Sequence, residues 1–225
     1  VTTTLQEDTQ LEADKRSIVE SEAAMPRTAS RAAATTTSSR KTLHRIVLTG
    51  FMGAGKSTVG RLLAERLGWQ FLDLDTLIEE RTGLTIAQVI ERDGEAAFRR
   101  LESQALATAL GRKQVVLALG GGVAEILTNR LLLEQTPATL TVFLDAPFAV
   151  LVERCLQQEN AAVRPFLADR ARAEARYHRR LPHYARIARI RIDTTSLNAD
   201  TTVAYLLDKI AQEKLVIQPV AGNLR

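Results

Sequence analysis

The stretch LTGFMGAGKSTVGRLL, Leu48 to Leu63, places Gly50, Gly53 and Gly55, then Lys56, Ser57 and Thr58, between an apolar run and a helical pattern. Gly50, Gly55, Lys56 and Ser57 fit the template Gly-x4-Gly-Lys-Ser/Thr. They follow a strand-like RIVLT and precede KSTVGRLLAERLG, the context that a phosphate-binding loop needs. Glycines let the backbone curl so that several N–H groups point inward, and the helix N-terminus adds partial positive charge. Lys56 reaches the outer phosphates and Ser57 offers its hydroxyl to Mg²⁺. Residues Gly53, Ala54, Gly55, Lys56, Ser57 and Thr58 are therefore candidate contacts of ATP or GTP.

Outward from this loop, short β-branched or leucine-rich runs alternate with helical segments: RIVLTG, WQFLDLD, QVVLALGGG, ATLTVFLDA and RIARIRIDT read as five buried strands. Lys56 to Leu67, Ile86 to Arg92, Glu95 to Leu110 and Thr201 to Lys214 carry apolar residues at helical spacing. Strand alternating with helix predicts an α/β three-layer sandwich with a five-stranded parallel sheet. Ligands in such sheets bind beyond the carboxyl ends of the strands.

Composition narrows the function classes. The 225 residues are 45% hydrophobic and 25% charged, with a net charge of +4, which suits one globular domain. The apolar runs are too short for a membrane span. An aromatic content of 4% and no basic stripe interleaved with Phe or Tyr argue against nucleic acid. A single cysteine, Cys155, forms no internal disulfide, which favours the cytosol. Residues 1–40 are rich in Thr, Ser, Ala and Glu and are expected to be a disordered extension. Their second half, with Arg27, Arg31 and Arg40, has the composition of a transit peptide and leaves a plastid as the alternative; Glu7, Asp8, Glu12, Asp14, Glu20 and Glu22 argue against it.

Asp73 and Asp75 close the second strand as FLDLD, and alternation turns both to one side. One suits water-mediated Mg²⁺ binding and the other the hydroxyls of an acceptor; a helix N-cap at Asp75 is the competing explanation. Arg99 and Glu102, three apart on a helix, read by themselves as an ordinary surface ion pair. Gly120, Gly121 and Gly122 end a buried strand, where a close backbone approach to a ligand competes with a generous loop. Residues 164 to 191 hold nine arginines against Asp169 and Glu174, a composition suited to phosphates and carboxylates.

Taken as a set, GFMGAGKSTVGRLLA, DLD, DGEAAFRRLE, LGGG, RPFL and RRLPHYARIA resemble the motifs of shikimate kinase, in the family's order, over about residues 44 to 212. The resemblance implies a P-loop, nucleoside-monophosphate-kinase-like fold with a mobile lid, and ATP-dependent phosphorylation of shikimate to shikimate 3-phosphate, a step toward chorismate and aromatic amino acids. It implies a domain over 41–215, with a substrate-binding part at about 74–110 and a lid at about 157–172, followed by a tail at 216–225. Arg99, Arg180 and the Gly121–Gly122 backbone match the family's carboxylate site, and Asp75 its contact to the ring hydroxyls. Asp73 matches the metal-site acid beside Ser57, with Mg²⁺ as cofactor. Arg164 matches the lid arginine over the ATP phosphates, and Arg154 the arginine flanking adenine. Lys56, Asp75 and Arg164 are the implied catalytic residues, and the family is usually monomeric. Phe166 stands where the lid more often has Leu, and Leu197 where some relatives have an arginine near adenine. A kinase of another polyhydroxylated acid, such as gluconate, and a non-catalytic nucleotide binder are the rival readings.

Overall fold

A computed structural model describes residues 41–157 and 169–219. The expectations for residues 1–40, for Arg164 and most of the lid, and for residues 220–225 lie outside the described residues. Among the described residues, β2 (Arg45–Thr49), β3 (Gln70–Asp73), β4 (Val115–Ala118), β5 (Thr139–Asp145) and β6 (Ile190–Asp193) form one sheet in the order β3-β4-β2-β5-β6. Every pairing in it is parallel. Strands β2 and β4 are buried at every position, as expected where helices cover both faces. The predicted five-stranded parallel sandwich is therefore the observed one.

The helices are α1 (Lys56–Leu67), α2 (Leu74–Thr82), α3 (Ile86–Asp93), α4 (Glu95–Leu110), α5 (Leu127–Gln135), α6 (Phe148–Leu156), α7 (Arg170–Ile187) and α8 (Ala199–Gln212). Local chemistry sets their ends. Gly55 enters α1 at φ 84° and Gly68 leaves it at φ 65°, both left-handed, where a side chain would be strained. A reciprocal Thr85–Gln88 capping box starts α3, and the Asp169 carboxylate caps α7 by accepting from Arg172 N. Helix α7 runs through Pro182 to Ile187, so the run RIARIRIDT is a strand only from Ile190. Helices α1 and α8 pack on each other, and α4 packs on α2 and α3.

Residues 216–219, which the sequence reading assigns to a tail, are joined to the domain. Val216–Ile217 forms β7 and pairs in parallel with β1, Thr42–Leu43. Trp69 Nε1 donates to Gln218 O at 3.0 Å, and Gln114 Nε2 donates to Pro219 O at 2.8 Å. No helix among the described residues is long and apolar enough to cross a membrane.

Candidate active site

Three strand ends deliver the site. The phosphate-binding loop follows the central β2, Asp73 ends β3 with Asp75 just after it, and the triple glycine follows β4, which lies between the other two. The loop and both aspartates line one cavity of about 380 Å³, together with Leu119, Gly120, Gly121 and Arg180. A second cavity, of about 320 Å³, shares Gly53, Gly55 and Thr58 with the first and adds Ala54, Arg154, Thr194 and Leu197. The glycine loop thus sits between two open spaces.

At the loop, Lys56 Nζ donates to Phe51 O at 2.9 Å. Burial pushes the Lys56 amine down to about 8, against the pull of Asp75 and Asp73. Ser57 Oγ donates to Asp73 Oδ2 at 2.6 Å, so a hydroxyl and a carboxylate already converge where the sequence places a metal pair.

The aspartates arrive by a route other than strand alternation. Asp73 ends β3 and caps α2, its Oδ1 accepting from Asp75 N at 3.1 Å, so Asp75 lies in the first helical turn. The N-cap is Asp73, not Asp75. Both carboxylates still face the cavity, because the first turn of a capped helix presents its side chains at the strand end. Asp75 is raised above the ordinary range by burial first and then by Asp73, with Lys56 opposing.

The Arg99–Glu102 pair is no surface pair. Arg99 Nη1 donates to Glu102 Oε2 at 2.8 Å, and the Glu102 side chain is 1% exposed. A Cβ on Gly120 would lie 2.8 Å from both Asp75 Oδ1 and Glu102 Oε1. A Cβ on Gly122 would run into the Arg99 guanidinium. The bare glycine backbone is thus what lets Arg99, Glu102 and Asp75 close around the end of β4. Burial opposes the charge on Arg99, but Glu102 and Glu95 more than offset it. Burial also pushes Glu102 up, with Arg99 opposing.

On the far side, Arg180 comes from α7 with its side chain 10% exposed, and its Nε donates to Glu125 Oε1 at 2.5 Å. Tyr184, one turn further on, donates its hydroxyl to Gly121 O at 2.5 Å. Arg154 lines the second cavity, where its guanidinium donates to Thr194 Oγ1 at 3.1 Å and to Thr194 O at 2.5 Å.

The arrangement gathers a phosphate cradle, two carboxylates, a bare glycine backbone and the Arg180 guanidinium around one cavity, which is the layout of a two-substrate phosphotransferase. A family model for shikimate kinase matches residues 52–211. The chain is 40% identical over 164 residues to the shikimate kinase of Lactococcus lactis, covering 73% of this chain and 96% of that one. The chain belongs to the shikimate kinase family. A shikimate kinase from Acinetobacter baumannii, solved in complex with shikimate, superposes with a TM-score of 0.67 at 36% identity over 77% of this chain and 96% of that one. The likeness extends, as fold alone, to a deoxyadenosine kinase from M. mycoides, with a TM-score of 0.52 at 12% identity over 75% of this chain and 99% of that one. As a shikimate kinase the chain uses ATP to phosphorylate shikimate, giving shikimate 3-phosphate and ADP.

Of the residues expected from the sequence, Lys56, Ser57, Asp73, Asp75, Gly121 and Arg180 line one cavity, Arg99 lies against Gly122, and Arg164 lies outside the described residues; sequence reasoning passed over Glu125, Glu95 and Tyr184 and discounted Glu102. Glu102 carried a signal in its i+3 spacing from Arg99. Glu125, 55 residues from Arg180, carried none.

Proposed function

We propose that two sets of residues around the larger cavity divide the work of this shikimate kinase. The loop Gly53–Thr58 cradles the ATP phosphates, and Arg99, Arg180 and the Gly121–Gly122 backbone hold the carboxylate of shikimate. The observation that carries this reading is a single cavity lined by Lys56 and Ser57, by Asp73 and Asp75, and by Gly121 and Arg180. A planar carboxylate gripped by guanidinium groups fixes the acceptor ring, and positioning is most of what phosphoryl transfer requires. Asp75 accepts hydrogen bonds from the ring hydroxyls and orients the reacting one; it takes that hydroxyl's proton as the bond to phosphorus forms. A loose transition state asks little of a base, so orientation is the larger part of its role.

Mg²⁺ fits the Ser57–Asp73 pair, since this ion keeps several waters and needs only one or two carboxylates beside the phosphates. When bound it neutralises charge on the transferred phosphoryl group. Lys56 adds its own charge on the outer phosphates. Arg154, at the Thr194 and Leu197 end of the second cavity, flanks the adenine. Arg164, from the segment outside the described residues, closes over the phosphates and helps exclude water. This reading takes the enzyme as a monomer working in the cytosol, with Cys155 its sole cysteine.

Arg99→Ala or Arg180→Ala removes charge-assisted hydrogen bonds of about 2 kcal/mol, hence about 30-fold in kcat/KM for shikimate, while the KM for ATP stays within twofold. Steady-state kinetics with each substrate varied in turn checks this. Equal losses for the two substrates would show that the arginine serves the nucleotide instead.

A further inference from the structure

Arg180 presents its donors along two edges, and a carboxylate matches one edge at a time. Its Nε donates to Glu125 Oε1 at 2.5 Å, while Glu125 Oε2 accepts from Arg179 Nη2 at 3.0 Å. Glu125 thus spreads its oxygens over two neighbouring guanidinium groups and grips neither with both. Beyond that bond Arg180 also reaches the Tyr184 side chain, and its Nη1 rests against Gly121, 3.2 Å from where a Cβ would stand. The Glu125 side chain is 24% exposed and its Arg180 partner less, so the bond is well shielded from water, where a charge-assisted contact keeps its strength. Burial alone would push the Glu125 carboxyl up, but Arg180 and Arg179 outweigh it and hold it below the ordinary range.

Glu125 ends the one-turn 3-10 helix Val123–Glu125 that directly follows the triple glycine. Tyr184 grips Gly121 O from α7, and Glu125 reaches back to Arg179 and Arg180 on the same helix. The loop is therefore tied to α7 near both of its ends. These ties bring together two groups from distant parts of the chain, the Gly121–Gly122 backbone and the Arg180 guanidinium.

We propose that Glu125 is a positioning residue for the acceptor: by accepting the Arg180 Nε–H while also pairing Arg179, it turns the Nη edge of Arg180 toward the acceptor carboxylate and holds it in register with Gly121 and Gly122. The proposal rests on the assignment of Arg180 to that carboxylate. A Glu125 that competed with the acceptor for Arg180 would act with the opposite sign.

Steady-state kinetics with shikimate varied at saturating ATP, on Glu125→Ala, Glu125→Gln, Arg180→Ala and the Glu125→Ala/Arg180→Ala pair, separates these. Glu125→Ala is expected to raise the KM for shikimate about tenfold and Glu125→Gln about threefold, with kcat and the KM for ATP within twofold. In the double variant the loss matches that of Arg180→Ala alone, because both changes act through one contact. The near-isosteric Gln variant carries the test if the Ala variant does not fold. An unchanged or lowered KM in the Glu125 variants, a fall in kcat without a KM change, or additive losses in the double variant overturns the proposal. An unchanged KM in Arg180→Ala overturns instead the assignment of Arg180 on which it rests.

Discussion

Lys56→Met lowers kcat/KM for ATP about 1,000-fold, the scale seen when one preorganised donor is removed from a developing oxyanion. The size follows from where the amine sits. It is partly buried at the head of α1, close enough to Asp73 and Asp75 to feel both, and loss of water around it still draws it down to about 8. ATP phosphates supply the negative charge that restores its proton, so binding is linked to proton uptake. Below pH 8 free Lys56 already carries its charge, and the affinity it supplies is fully present; that part is lost as the pH rises through 8. Calorimetry at pH 8.5 in buffers of different ionisation enthalpy is expected to show uptake of about three quarters of a proton per ATP, against about a tenth at pH 7. Lys56→Met abolishes the difference. Equal uptake in wild type and variant would place the proton on another group, and a fall of less than tenfold would remove Lys56 from the phosphate site.

Asp75→Asn lowers kcat/KM for shikimate about 100-fold, within the range for a positioned proton acceptor. Asparagine keeps an oxygen for one hydroxyl but can neither take a proton nor draw in two donors at once. The pH profile tells orientation from a general loss of structure. Burial and the neighbouring Asp73 raise Asp75 above the ordinary aspartate value of 3.8. Wild-type kcat/KM therefore declines on the acid side at a higher pH than an exposed aspartate would give, because a protonated Asp75 no longer accepts. The variant lacks that limb. Its persistence in Asp75→Asn would assign the limb to Glu102, whose carboxyl burial also pushes up.

The parts of this protein that were readable without coordinates are those set by neighbours in the chain. The phosphate-binding loop is a local motif, and Lys56–Leu67 and Glu95–Leu110 are helices whose glycine boundaries stand in the sequence. Asp73 and Asp75 line one cavity as expected but by a different geometry: one capping bond, from Asp75 N to Asp73 Oδ1, ends the strand two residues early and replaces alternation by a helical turn. Arg99 and Glu102 looked like a surface pair because i,i+3 spacing says nothing about burial. Burial came from the side-chain-free Gly120–Gly122 backbone closing over α4, a contact between distant segments. Glu125 and Tyr184 were hidden for the same reason. The short β1–β7 pair lacked the length and alternation by which strands are recognised.

The central claim is that Arg99, Arg180 and the glycine backbone recognise a carboxylate, while Lys56 serves the phosphates. Its most direct test compares kcat/KM for shikimate with that for shikimate methyl ester, in the wild-type enzyme and in Arg180→Ala. The account predicts a preference for the acid of about 100-fold in the wild type, falling to about threefold in the variant. An undiminished preference in Arg180→Ala would contradict it.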